Sequence, residues 1–154
     1  MKVTLVRSSF SPNYTIYKTT PRNREIRVPL GLLYLAAVLE KEGHEVKIID
    51  GEPELLTHNQ VIDRIKEQNP DLLGISSTTP EFHITKDIIS HIKHRNPKII
   101  TVVGGAHVSA LPQESLDECP EIDYVVVGEG ERISSKFLRV LLLDLLLAFS
   151  LKGT

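Results

Sequence analysis

Residues 70–79 read Pro-Asp-Leu-Leu-Gly-Ile-Ser-Ser-Thr-Thr, and their order decides the fold class. Leu72–Ser76 is a short, largely apolar run between a proline and a hydroxyl-rich turn, the form of a strand covered on both faces. The segment that follows, about Glu81–Arg95, sets Ile84, Ile88 and Ile92 on one helical stripe with Ile89 beside it. Pro97 ends that period before a second apolar run at Ile99–Val103. Strand, helix and strand at this spacing are the unit of a parallel sheet.

The same alternation covers most of the chain. Val3–Val6, Glu45–Ile49 and Tyr124–Val127 are three more short β-rich runs, so five parallel strands are predicted in an α/β domain. Gly31–Glu42 is apolar almost all round and stops at Gly43, which predicts a centrally buried helix. His58–Gln68 carries Val61, Ile62 and Ile65 on one face, with Thr57 as its cap and Pro70 beyond its end. A short helical turn is predicted at Pro112–Glu118, and a last helix from about residue 132 to Leu151. That terminal segment, 132–154, crowds Leu138, Leu141, Leu142, Leu143, Leu145, Leu146, Leu147 and Leu151 around Asp144. Its apolar run Val140–Phe149, ten residues with one charge, is too short to span a bilayer, which takes about 20. It reads as a helix packed on the domain formed by 1–131, with a docking face for another domain or an atypical terminus as the alternatives.

At 154 residues and 17.2 kDa the chain has the size of one domain. Its 18 basic and 20 acidic residues leave a formal charge of −2, which speaks against a dedicated nucleic-acid binder. A hydrophobic content of 41% excludes a disordered or low-complexity chain. The single cysteine, Cys119, cannot form an internal disulfide or supply the thiolates of an iron–sulfur cluster or Cys-rich zinc site. The apolar run before Arg7 is far shorter than a signal-peptide core, so a cytoplasmic, non-membrane protein is expected.

Chemistry is expected where the strands end. Gly74-Ile-Ser-Ser-Thr-Thr-Pro80, Gly104-Gly-Ala-His-Val-Ser109 and Gly128-Glu-Gly-Glu131 follow the third, fourth and fifth strands and should open on one rim. Glycines let a ligand approach the backbone, and the hydroxyls at 76–79 offer donors and acceptors. The long segment Arg7–Pro29 is basic, with Arg7, Lys18, Arg22, Arg24 and Arg27 against Glu25, and should lie over the same rim. No Gly-x-Gly-x-x-Gly follows the first strand and no P-loop occurs, so Asp50 is a weak candidate for a ribose hydroxyl. A phosphorelay receiver would need an aspartate where Ser76 stands. His83, Asp87 and His91 share a helix face that reads as solvated rather than metal-binding. Cys119 lacks an activating base, and Asp123 and Glu129 make no acid/base pair, so no catalytic residue is predicted.

Five phrases in order carry a resemblance: Pro29-Leu-Gly-Leu-Leu-Tyr-Leu-Ala-Ala37, Gly43-His-Glu-Val-Lys-Ile-Ile-Asp50, Pro70 to Thr79, Val103-Gly-Gly-Ala-His107 and Asp123-Tyr-Val-Val-Val-Gly-Glu-Gly-Glu131. Over residues 1–131 the chain resembles the N-terminal cobalamin-binding domain of cobalamin-dependent radical SAM enzymes. The resemblance implies a Rossmann-like three-layer sandwich with the corrinoid across its C-terminal rim. The residues facing it would be Pro29, Leu30, Gly31, Ser76, Ser77, Thr78, Thr79, Gly104, Gly105, Ala106, His107, Gly128, Glu129 and Gly130.

The chain also departs from that pattern. Many cobalamin domains place Asp-x-His-x-x-Gly after the first strand to ligate cobalt, and no histidine stands in this chain between Arg7 and Pro29. Cobalt carried by the corrinoid, with no protein histidine ligand, is therefore expected. The family often has Arg-Pro-Pro where Arg7-Ser8-Ser9 stands, and one cysteine cannot make the Cys-x-x-x-Cys-x-x-Cys motif of a radical SAM domain. The expectation is a cobalamin-binding module whose chemistry belongs to a radical SAM methyltransferase or cyclase partner. A nucleotide- or sugar-nucleotide-binding domain, or an interaction domain with a vestigial ligand site, are the alternatives. A bulky residue at Gly105 is expected to block the ligand while leaving the sheet intact, and His107 is expected either to meet the corrinoid or to bond within its own turn.

Overall fold

The computed structural model describes residues 1–8 and 28–128. Within them β1 (Lys2–Arg7), β2 (Glu45–Asp50), β3 (Leu72–Ser76), β4 (Ile100–Gly104) and β5 (Tyr124–Val125) form one sheet. Its order is β2-β1-β3-β4-β5, with every neighbouring pair parallel. The connecting helices are α1 (Leu30–Lys41), α2 (Gly51–Glu54), α3 (His58–Gln68), α4 (Phe82–Arg95), α5 (Ala106–Ala110) and α6 (Pro112–Glu118). The protein is thus a Rossmann-like α/β domain, as its alternating pattern predicts. The predicted terminal helix, the 132–154 boundary and most of the basic segment lie outside the described residues.

Alternation along each strand divides the core into two layers. Val6, Leu73, Ile75 and Val103 face α3 and α4, where Val61, Ile65, Ile84, Ile88 and Ile89 are sealed from solvent. Val3, Leu5, Leu72 and Ile100 point the other way, toward Leu32, Ala36 and Leu39 of α1. Each fully buried aliphatic side chain contributes about 1.5–3 kcal/mol, which makes the α3–α4 layer the mechanical base of the sheet. Gly74 belongs to the tight spot of the second layer: a Cβ there would lie 2.8 Å from Leu5 Cδ2.

Local chemistry sets the helix ends. Thr57 and Gln60 form a reciprocal capping box at the start of α3, and Asn69 closes that helix in the left-handed region at φ 45°. Asp50 accepts the Glu52 amide at 3.3 Å and so starts α2, a single turn too short to display a helical period. Asp123 secures the two-residue β5 by accepting the Thr101 amide at 2.7 Å and Lys93 Nζ at 2.6 Å.

One expectation needs correction. Helix α1 is not buried centrally: Leu32, Ala36 and Leu39 are buried, while Leu30, Leu33 and Tyr34 are 73%, 43% and 50% exposed. The helix lies against the β1–β2 side of the sheet, so among the described residues one stripe of its surface finds apolar cover. The strands diverge at β1, with β2 on one side and β3 on the other, which creates a topological switch point.

Candidate functional site

The register brings the strand ends to one level. Arg7 stands beside Asp50 on one side and Ser76 on the other, and Ser76 stands beside Gly104. Parallel strands all deliver their C-terminal loops to this edge, so Ser76–Thr79, Gly104–His107 and Gly128 share a rim as expected. Glu129 and Gly130 lie outside the described residues.

The β3 loop folds around Ser77, which is fully buried. Its amide donates to Gly104 O at 2.9 Å, its carbonyl accepts the His107 amide at 3.3 Å, and its hydroxyl meets Thr85 Oγ1 at 3.0 Å. Thr78 bonds through its amide to Glu81 Oε2 at 3.1 Å, fixing the 3-10 turn Thr79–Glu81 ahead of α4. Thr78, Thr79 and Pro80 remain exposed. Next to them Gly105 adopts φ +105°, and a Cβ on it would stand 2.5 Å from Ser77 O. That glycine is required by the contact between loops, whatever binds above it. The expectation that a bulky residue at 105 would spare the framework is therefore corrected, because the side chain would enter protein backbone before it reached a ligand.

The third loop is joined to the second. Val126 N donates to Val103 O at 2.8 Å, extending the sheet past β5, and Gly128 N donates to Ser109 Oγ at 3.0 Å. On the other side of the switch point Pro29 precedes α1, with Leu30 exposed and Gly31 open enough that a Cβ would meet nothing within 4 Å. The predicted residues thus divide by role. Leu30, Gly31, Thr78, Thr79, Ala106 and Gly128 are exposed, whereas Ser77 and His107 are buried in the support beneath them.

Charge on the rim elements is largely engaged. Arg7 binds Asp50 at two points, Nε to Oδ1 and Nη2 to Oδ2, both at 2.8 Å, a pairing invisible in sequence because 43 positions separate the two. Asp50 therefore serves Arg7 and the α2 cap instead of standing ready for a ribose. Phe82 carries no motif signal in the sequence, yet its ring stacks on His107 with centroids 4.0 Å apart.

The remaining candidates behave differently. His91 Nδ1 lies 2.9 Å from the Asp87 carbonyl, and among the described residues no three His, Cys, Asp or Glu side chains gather to hold a metal. Burial pushes the His58 imidazole below its ordinary value, Asp87 opposes that shift, and His83 adds to it. Burial pushes the Cys119 thiol up to about 11, with Glu121 reinforcing it, so the thiolate needed for nucleophilic or metal chemistry is scarce near neutral pH. No helix among the described residues is long and apolar enough to cross a membrane.

Among the described residues, the exposed positions at the strand ends named above are small, hydroxyl-bearing or apolar, with Leu30 exposed at the start of α1. These features fit a broad, flat ligand with apolar faces and amide edges, which a corrinoid is.

Comparison with known proteins agrees with that chemistry. Residues 25–138 match the B12 binding domain family. An uncharacterized methyltransferase of Pyrococcus horikoshii is 44% identical over 103 residues, covering 67% of this chain and 22% of that protein. The anaerobic magnesium-protoporphyrin IX monomethyl ester cyclase of Rubrivivax gelatinosus is 34% identical over 106 residues, covering 68% and 19%. Among solved structures, the cobalamin-dependent S-adenosylmethionine radical enzyme OxsB, with aqua-cobalamin and S-adenosylmethionine bound, superposes with a TM-score of 0.66 at 26% identity. The match takes in 91% of this chain and 18% of that one. The chain spans about a fifth of the length of these curated relatives. With the family match spanning residues 25–138 and a fold that superposes on OxsB, this chain belongs to the B12-binding domain family.

Proposed function

We propose that the domain binds cobalamin across the C-terminal rim and presents it to a radical SAM domain that carries out methyl transfer or cyclisation. The observation that carries this reading is the uncharged shelf of Leu30, Gly31, Thr78, Thr79, Ala106 and Gly128. Ser76, Gly104 and Gly105 line its half-buried floor, with Pro29 at the edge and Glu129 and Gly130 continuing it in sequence. Cobalamin supplies cobalt-centred methyl or electron transfer when bound; this chain supplies binding, orientation and shielding from water. No histidine of this chain is assigned as an axial ligand, since His107 is buried against Phe82 and none stands in sequence between Arg7 and Pro29. The leucine-rich segment 132–154 belongs, in this reading, to the same domain as a covering helix, and the protein works in the cytoplasm.

The alternative of a nucleotide-binding domain is weakened by the Arg7–Asp50 pair, which engages Arg7 and the acid that a ribose would use. The test is a visible spectrum taken after the purified protein is incubated with hydroxocobalamin and passed through a desalting column. Retained, stoichiometric colour is the expected result. A folded but colourless protein would sink the proposal.

A further inference from the structure

His107 sits where two rim loops meet. It lies in α5, just after β4, and only 7% of its surface reaches solvent. Its ring lies against Phe82, the first residue of α4, with an interplanar angle of 28°. Its Nδ1 stands 3.3 Å from Thr79 Oγ1, and its amide donates to Ser77 O. One side chain thus touches both the turn after β3 and the helix that follows it, while its backbone belongs to the loop after β4.

The stack is braced from outside. Lys86 Nζ lies 5.5 Å from the Phe82 ring centroid and donates to Glu118 Oε2 of α6 at 2.9 Å. Phe82 is itself 4% exposed, so neither ring can swing out without opening the α4–α5 contact. Beneath the stack, the Ser77–Gly104 hydrogen bond and the side-chain-free Gly105 bring the two backbones together.

We infer that His107 is a positioning residue for the corrinoid: the Phe82–His107 stack and the Thr79 contact hold the Thr78–Thr79 and Gly104–Ala106 shelves at a fixed relative height before the ligand arrives. A ligand lying on both shelves then binds without having to order them, and preorganisation of that kind appears as affinity. The inference rests on the cobalamin reading, but the clasp itself can be measured without any cofactor.

The test compares His107→Ala with His107→Phe, which keeps a stacking ring and loses the Thr79 bond. Amide hydrogen exchange of the cofactor-free proteins is read at residues 77–81 and 104–107, and hydroxocobalamin is then titrated by visible absorption. His107→Ala is expected to raise exchange in both segments and weaken binding about tenfold. The bands of the bound cofactor should match those of the wild type, and His107→Phe should recover most of the protection and affinity. Unchanged exchange in His107→Ala would overturn the clasp. Shifted bands would overturn it in favour of direct contact with the corrinoid, and wild-type affinity in His107→Ala would remove its role in binding. Failure of the wild-type protein to bind at all defeats the cobalamin reading and with it the positioning role, while the exchange data separately decide whether the loops are coupled.

Discussion

Arg7 and Asp50 close a two-point ion pair across the ends of β1 and β2, with both nitrogen–oxygen distances at 2.8 Å. Each side chain is about one-fifth exposed, so the pair is neither fully screened nor fully desolvated. It pins the start of the Arg7–Pro29 segment to the sheet and, through the Asp50–Glu52 bond, starts α2.

Replacing that acid tests the pin. Asp50→Ala removes a charge-assisted pair and a helix cap together, and after allowance for solvent screening it should cost about 1–2 kcal/mol. Urea unfolding reads the loss as a lower midpoint at constant slope. An unchanged midpoint would mean that the pair contributes nothing net.

Gly105→Ala should cost stability as well as ligand binding. Its φ of +105° disfavours any side chain, and the added Cβ would press on Ser77 O. Strain of this kind is on the order of 1–3 kcal/mol before the steric contact is counted. Thermal unfolding should show a clear fall in Tm, and a variant as stable as the wild type would show that the β3 and β4 loops are not in close contact.

Ile88→Ala probes the supporting layer. Ile88 is completely buried between α4 and the sheet, so truncation should cost about 2–5 kcal/mol. The residue belongs to no rim loop. Cobalamin bound by the folded variant should therefore keep its visible band positions, and altered bands would mean that core packing shapes the rim more directly than its layout indicates.

Cys119 makes a prediction about pH. Its thiol is raised from 9.0 to about 11 in the folded protein, so the folded state holds the proton more tightly than the unfolded state. The resulting stability is present in full below pH 9 and declines as pH rises from about 9 to 11. Cys119→Ala should show a shallower decline over that window when unfolding free energies are compared. Identical slopes would rule out the thiol as the linked group. In the same protein, labelling by a thiol reagent near pH 8 should be slow until denaturant is added.

Sequence alone determined the layers of this protein. Apolar runs of four or five residues alternating with helical periods require parallel strands joined by crossovers, and hydrogen bonding along the chain then brings every loop of one kind to one edge. The capping pair Thr57 and Gln60, the stripe of Ile84, Ile88 and Ile92, and the turn Pro112–Glu118 are local or periodic features, so their placement could be read directly. The family phrases around Pro29, Ser76 and Gly104 likewise marked the rim. Tertiary structure decided which rim residues face outward and which hold the rim together. Arg7 meets Asp50, Phe82 meets His107, and Gly105 lies against Ser77 across sequence separations that carry no periodic signal. The half-bare surface of α1 was hidden for the same reason: a helix composed of apolar residues can bury only as much of its circumference as its neighbours cover.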